Sequence, residues 1–420
     1  MNSSLHNEMI KIGDRAVAAA RALTSLSARK KNTILLAMAD ELEARRASLK
    51  SINSSDMAAA RADGLSPALL DRLELTDSRI SAMAGGLRDV ARLRDPVGAR
   101  ISRWIRPNGL VIVKVRVPIG VIAIIYEARP NVTADAAGLC IKTSNAVILR
   151  GGKESLNSNK AIAEALQTGG QKKGLPADSI QMIDTTDRNA ITELVQLEGR
   201  VDLVIPRGGE GLIRSVTEQA RVPVIKHYKG VCHTYVDKDA NLDMALKICE
   251  NAKCQRPGTC NAMEALLVHA GSAAKFLPML AKRFSALAVE LRGDAAARSI
   301  VPQMKQATEE DWSTEYLALI LSVKVVASVS EAIAHINRYG THHSDAIVSE
   351  DKTAQELFLQ EVDSAAVYVN ASTRFTDGCE FGMGAEIGIS TDKLHARGPM
   401  GLEELTSYKY LIHGDGQIRA

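Results

Sequence analysis

Hydrophobic positions change their period repeatedly along this chain. From Ile12 to Lys50, and again from Pro67 to Arg92, alanine, leucine, arginine and glutamate recur at helical spacing, so the first hundred residues read as helices with a solvated charged face. Alternation then takes over at Ile101–Arg106 and Leu110–Val117, on either side of Pro107-Asn108-Gly109. Asn-Gly between alternating runs predicts a hairpin, either part of a sheet or an arm to another subunit. Continuous apolar runs follow at Gly120–Tyr126, Ala146–Arg150, Ile180–Ile183 and Leu203–Pro206. Helical segments fill the gaps at about 133–143, 155–170, 187–198 and 209–220. That order predicts a parallel sheet covered on both faces. A second α/β stretch begins near Val231, with strands at Ala265–Val268, Lys324–Val326, Ala346–Val348 and Ala365–Val369 and helices at 271–287 and 330–338. The run Gly378–Gly388 reads as a loop.

The chain is long enough, at 420 residues, for two or three domains. Its net charge of +3 is too small to argue for a nucleic-acid partner. Six cysteines, at 140, 232, 249, 254, 260 and 379, form no CxxC pair, which suggests free thiols in a reducing compartment. No signal peptide and no bilayer-length apolar run is visible, so a cytoplasmic protein is expected.

The segment Asn251–Glu264 carries the most chemistry. A helix stops at Pro257-Gly258 and Cys260 follows on a turn flanked by Lys253 and Arg256, where a thiolate nucleophile is stabilised. Two glycine turns, Pro206-Arg207-Gly208-Gly209 and Arg150-Gly151-Gly152-Lys153, each follow a buried strand and precede a helix. Such turns let backbone approach a phosphate at a helix N-terminus. Cys232, His233, Cys249, Cys254 and Cys260 fit no zinc spacing, so no metal is expected; Cys140, Cys249 and Cys379 read as small buried hydrophobes. The polar run His335–Asp345 suits either a functional role or the capping of a helix end.

These pieces, in this order, resemble the aldehyde dehydrogenase superfamily, and within it the branch that reduces the acyl phosphate of glutamate in proline biosynthesis. The stretches carrying the resemblance are Val326–Ile347, Tyr126–Thr133 and Gln255–Asn261. It implies an α/β fold with a Rossmann-type cofactor domain (1–100 and 118–230), an α/β catalytic domain (231–390), and an oligomerisation arm and C-terminal segment (101–117 and 391–420). It implies Cys260 as nucleophile, Arg150 and Lys153 at the adenosine ribose and its 2′-phosphate, Gly208 and Gly209 at the pyrophosphate, and Glu315 at the nicotinamide ribose. NADPH would be the cofactor, L-glutamyl 5-phosphate the substrate, and a glutamate 5-kinase a possible partner. The loop Ser372–Phe375 would lie at the mouth of a substrate tunnel. Arg129, Arg256 and Arg374 are candidates for the phosphate or the α-carboxylate. The superfamily's oxyanion asparagine falls on Ala128 or, with a shift, on Asn131, and the backbone N–H of Cys260 is a donor in either alignment.

One departure stands out. Where hydrolytic members carry a glutamate that activates water, this chain has Ile225-Lys226-His227-Tyr228-Lys229-Gly230, with no carboxylate. That suits an enzyme that excludes water and uses phosphate as leaving group or nucleophile. The alternatives are another NAD(P)-dependent aldehyde or acyl-phosphate dehydrogenase of the same fold, or a non-catalytic relative.

Overall fold

The computed structural model describes residues 3–226 and 228–419, and the chain divides into two compact units. The first comprises Met1–Lys226, Gly382–Gly388 and Met400–Ala420; the second comprises His227–Phe381 and Ile389–Pro399.

The first unit opens with helices Ser3–Leu23, Ala28–Ala44, Arg46–Ala62, Pro67–Leu73 and Asp77–Arg92. The two long helical stretches read from the sequence are therefore broken, and local capping breaks them. Ser27 and Thr76 each turn a side-chain oxygen onto a backbone N–H three residues on, which starts a new helix instead of continuing the old one; the further break at Arg45 has no side-chain cap.

A four-stranded parallel sheet follows, in the order Ile180–Met182, Ala146–Arg150, Val121–Tyr126, Leu203–Arg207. Every residue of the two inner strands is buried, hence their near-continuous apolar sequence. Parallel pairing puts Tyr126, Arg150, Met182 and Arg207 at one end of this sheet. The hairpin is present as Arg100–Ile105 and Val111–Pro118, with Gly109 at φ +88° in its turn, and Thr406–His413 adds a third antiparallel strand.

The second unit is built on a seven-stranded parallel sheet. Its order is Lys305–Gln306, Glu290–Gly293, Ile320–Val326, Met263–His269, Cys232–Val236, Ser344–Val348, Ala366–Val369. Successive side chains feed opposite faces. Val236, Leu266, Val268 and Val348 pack with Phe276, Leu280 and Phe284 of helix Ala270–Ala286. Their neighbours Tyr235, Leu267 and Ile347 pack with Ile336 and Phe358 on the other face. Both faces are thus helix-covered, as a parallel sheet requires. No helix among the described residues is long and apolar enough to cross a membrane.

Candidate functional site

In the first unit, the carboxyl ends of the strands open into a cavity of about 510 Å³ lined by Glu127, Arg150, Lys153, Arg188, Thr192 and Leu212, among others. Gly211, Leu212 and Ser215 of helix Glu210–Gln219 line it too, and the Arg207–Gly209 turn ends a strand and starts that helix. The Gly209 N–H donates to the Glu127 carboxylate at 2.8 Å, and a Cβ on Gly208 would stand 2.5 Å from the same oxygen. A carboxylate thus already rests on a backbone donor at a helix start, where an anion is favoured. Arg150 is buried; its Nη1 donates to the Gly151 carbonyl at 2.8 Å and its Nε has no hydrogen-bond partner. Burial lowers the pKa of this guanidinium, Glu154 opposes the shift and Arg188 adds to it. Lys153 is exposed, with Nζ 3.4 Å from Asp63. Glu154 accepts the Ala128 N–H at 2.7 Å, fixing a non-glycine residue at φ +24°. Cations, an unpartnered buried donor and glycine backbone together fit an anionic dinucleotide.

Arg129 and Asn131 also belong to the first unit, and both are exposed. Asn131 is the first residue of helix Asn131–Lys142, and its amide donates to Asp135 at 3.0 Å. Burial pushes Asp135 up to about 6, with Asn131 and Arg207 opposing.

The second unit holds the thiol. Helix Leu242–Cys254 ends, the chain turns through 255–262, and strand Met263–His269 begins; Cys260 is half-buried on that turn. Arg256, on the same turn, is exposed. Lys253 does not serve the thiol as the sequence suggests. It is fully buried, 2.5 Å from the equally buried Glu264, and so joins the two ends of the turn. Burial pushes Glu264 up to about 7 against the pull of Lys253, and lowers the Lys253 ammonium in turn.

Gly230, the last residue of the segment expected to lack a carboxylate, lies directly on the turn, and His227 of that segment lies outside the described residues. A Cβ on Gly230 would fall 1.8 Å from the Cys260 carbonyl oxygen, an approach only glycine permits. Lys229 donates to the Ser313 carbonyl at 2.9 Å, and the Gly230 N–H donates to Glu315 at 2.9 Å. A carboxylate therefore does reach this segment, from a residue remote in sequence. Because the Gly230 contact is backbone on backbone, no rotamer relieves it. Gly230→Ala is expected to displace the turn, cutting turnover by about 100-fold and lowering Tm; wild-type kinetics in that variant would refute the contact.

Beneath the turn, the Cys232 thiol donates to the Cys260 carbonyl at 3.2 Å and stands 3.7 Å from His343 Nδ1. Burial, then Asp345, then Cys260 hold that thiol well above the ordinary range, so it stays neutral. Thr341 accepts the Val231 N–H at 2.9 Å, and Asp345 accepts the N–H and the ring Nδ1–H of His233 at 2.8 and 2.9 Å. The polar run His335–Asp345 is thus largely framework for the strand that supports Cys260. Cys140 and Cys249 are buried as expected; Cys379 is not, because its loop is exposed.

Arg374 was expected to face substrate. Its Nε donates to Gln255 at 2.8 Å and its Nη1 to Thr259 at 3.0 Å and to Asn261, so the structure brings it onto the nucleophile turn. Sequence reasoning passed over Gly230 and Cys232 as partners of Cys260. The one signal was the pairing of Cys232 with His233, read there only against zinc.

The aldehyde dehydrogenase family model matches residues 3–312. The chain belongs to the aldehyde dehydrogenase family. It is 58% identical over 407 residues to the gamma-glutamyl phosphate reductase of Moorella thermoacetica, covering 97% of each chain. It is 55% identical over 413 residues to that of Clostridium beijerinckii, covering 98% of this chain and 100% of the other. The crystal structure of the Thermotoga maritima gamma-glutamyl phosphate reductase superposes with a TM-score of 0.97 at 47% identity, covering 98% and 100% of the two chains. An acetylating aldehyde dehydrogenase from Geobacillus thermoglucosidasius shares the fold at 17% identity, with a TM-score of 0.70. The protein is an oxidoreductase of a family that uses nicotinamide cofactors.

Proposed function

We propose that this enzyme reduces L-glutamyl 5-phosphate to L-glutamate 5-semialdehyde with NADPH, releasing phosphate, in the second step of proline biosynthesis from glutamate. The observation that carries the reading is the half-buried Cys260 on its braced turn, in a chain 58% identical to a gamma-glutamyl phosphate reductase. The Cys260 sulfur bonds to the acyl carbon, the bond from that carbon to the phosphate oxygen breaks, and the electron pair leaves with phosphate. Phosphate is a good leaving group, so no strong general acid is required of the protein. The oxyanion takes a hydrogen bond from the backbone N–H of Cys260, with Asn131 the side-chain candidate. NADPH, when bound, supplies the hydride that reduces the thioester. Collapse of the resulting hemithioacetal breaks the C–S bond and returns the thiolate.

Gly208 and Gly209 would hold the pyrophosphate, Arg150 and Lys153 the adenosine ribose and its 2′-phosphate, and Glu315 the nicotinamide ribose. Arg129, Arg256 and Arg374 are the candidates from which the grips on the substrate phosphate and α-carboxylate are drawn, with no individual assignment. In the same reading the sheet of Arg100–Ile105, Val111–Pro118 and Thr406–His413 is an oligomerisation arm. A glutamate 5-kinase supplies the acyl phosphate, and the reaction runs in the cytoplasm.

The test runs the reaction backwards. Semialdehyde and NADP are supplied with and without phosphate, and NADPH absorbance is followed. Formation of NADPH is expected only with phosphate. Equal rates without it would sink the phosphate-dependent reading in favour of a hydrolytic aldehyde dehydrogenase.

A further inference from the structure

We propose that Arg374 is a positioning residue for the nucleophile, its guanidinium clamping the Cys260 turn from the collar Ser372–Thr376. The inference rests on Cys260 being the nucleophile.

Three observations carry it. First, the fork of Arg374 grips residues on both sides of Cys260: Nε donates to Gln255 Oε1 at 2.8 Å, and Nη1 to Thr259 Oγ1 at 3.0 Å and to Asn261 Oδ1. A planar guanidinium fixes several acceptors at once, which a lysine ammonium cannot reproduce. Second, the collar grips Asn261 separately. The Asn261 amide donates to the Thr376 carbonyl at 2.9 Å, and the Thr373 hydroxyl donates to the Asn261 carbonyl at 2.7 Å. Thr373 and Thr376 are fully buried, so the collar is rigid where it touches the turn. Third, every hydrogen bond Arg374 makes goes to a neutral oxygen. No carboxylate holds the guanidinium by a hydrogen bond, so its fork is spent on the turn. Burial and then Arg256 lower the guanidinium pKa, while Cys260, Asp377 and Cys232 oppose them, which places Arg374 and Cys260 in one field.

The clamp is separable from substrate recognition. Iodoacetamide is neutral and has neither phosphate nor carboxylate for an arginine to grip, so its rate of reaction with Cys260, followed by peptide mass spectrometry, reports the thiol alone. In Arg374→Gln that rate is expected to fall about tenfold or more. The kcat for semialdehyde oxidation should fall with it, while KM stays within about threefold. Arg374→Lys is expected to recover part of the alkylation rate. Wild-type alkylation in Arg374→Gln, with KM alone raised, would overturn the proposal and make Arg374 a substrate contact, leaving Cys260 as the nucleophile. Should Arg374→Gln not fold, Gln255→Ala and Thr259→Val decide. Slower alkylation in both supports the clamp, and wild-type alkylation in both overturns it. Full turnover in Cys260→Ala would instead sink the nucleophile reading itself.

Discussion

Cys260→Ala is expected to lose at least about 10⁴-fold in reductase turnover, because removal of a covalent nucleophile leaves only binding and oxyanion stabilisation. NADPH binding and thermal stability should be unchanged, since the residue is half-buried and its backbone, the part gripped from beneath by Cys232, remains. The other thiols make the prediction specific. Cys140, Cys232 and Cys249 are buried and pushed far above the ordinary range by burial. Burial, and after it Glu250, also raises the half-buried Cys254. Cys379 is exposed on its loop, so Cys379→Ser should leave turnover near wild type. Residual activity in Cys260→Ala above roughly 1% of wild type would end the thioester scheme.

The second large effect is on stability. Lys253 and Glu264 are both fully buried and 2.5 Å apart. Removing either partner leaves an uncompensated buried charge. Lys253→Met and Glu264→Leu should each cost about 3–5 kcal/mol. Glu264→Leu also strips the acceptor from the Leu317 N–H at 3.2 Å, so it should be the worse of the two. The double variant restores an apolar interior of similar volume and is expected to recover most of the loss. Urea denaturation of the three variants measures this. Single variants within 1 kcal/mol of wild type, or a double variant no better than the singles, would contradict it.

Much of the architecture was legible because burial on both faces writes itself as continuous apolar sequence, as in Val121–Tyr126 and Ala146–Arg150. Strand Cys232–Val236 escaped because Cys-His-Thr-Tyr-Val is mixed in polarity. Some of its polar groups find carboxylates inside the fold, His233 Nδ1 at Asp345 and Tyr235 at Asp237, while His233 Nε2 and Thr234 Oγ1 are buried with no hydrogen-bond partner. Strand Glu290–Gly293 escaped because its charges pair locally at the sheet edge, Glu290 with Arg292 and Lys305. The nucleophile itself was legible from a turn and its neighbours. Its surroundings were not, because they come from far along the chain. Arg374 lies 113 positions from Asn261, and Glu315 lies 85 from Gly230. Lys253 misled for a related reason: proximity in sequence to Cys260 says nothing about which way a helical side chain points.

The three-stranded sheet of the first unit carries a consequence for synthesis. Its middle strand, Val111–Pro118, pairs on one side with a neighbour that precedes it closely and on the other with Thr406–His413. Arg116 donates to Thr406 across 290 positions of sequence. At an elongation rate of about 5–20 residues per second that distance is about 15–60 s of translation. For that interval the ribosome-bound chain exposes a complete hairpin with one open edge, the state most prone to pair with the same hairpin on a neighbouring nascent chain. Polysomes making this protein thus place two unfinished copies in competition with the chain's own last strand. Chains stalled before residue 406 should be the aggregation-prone species during expression.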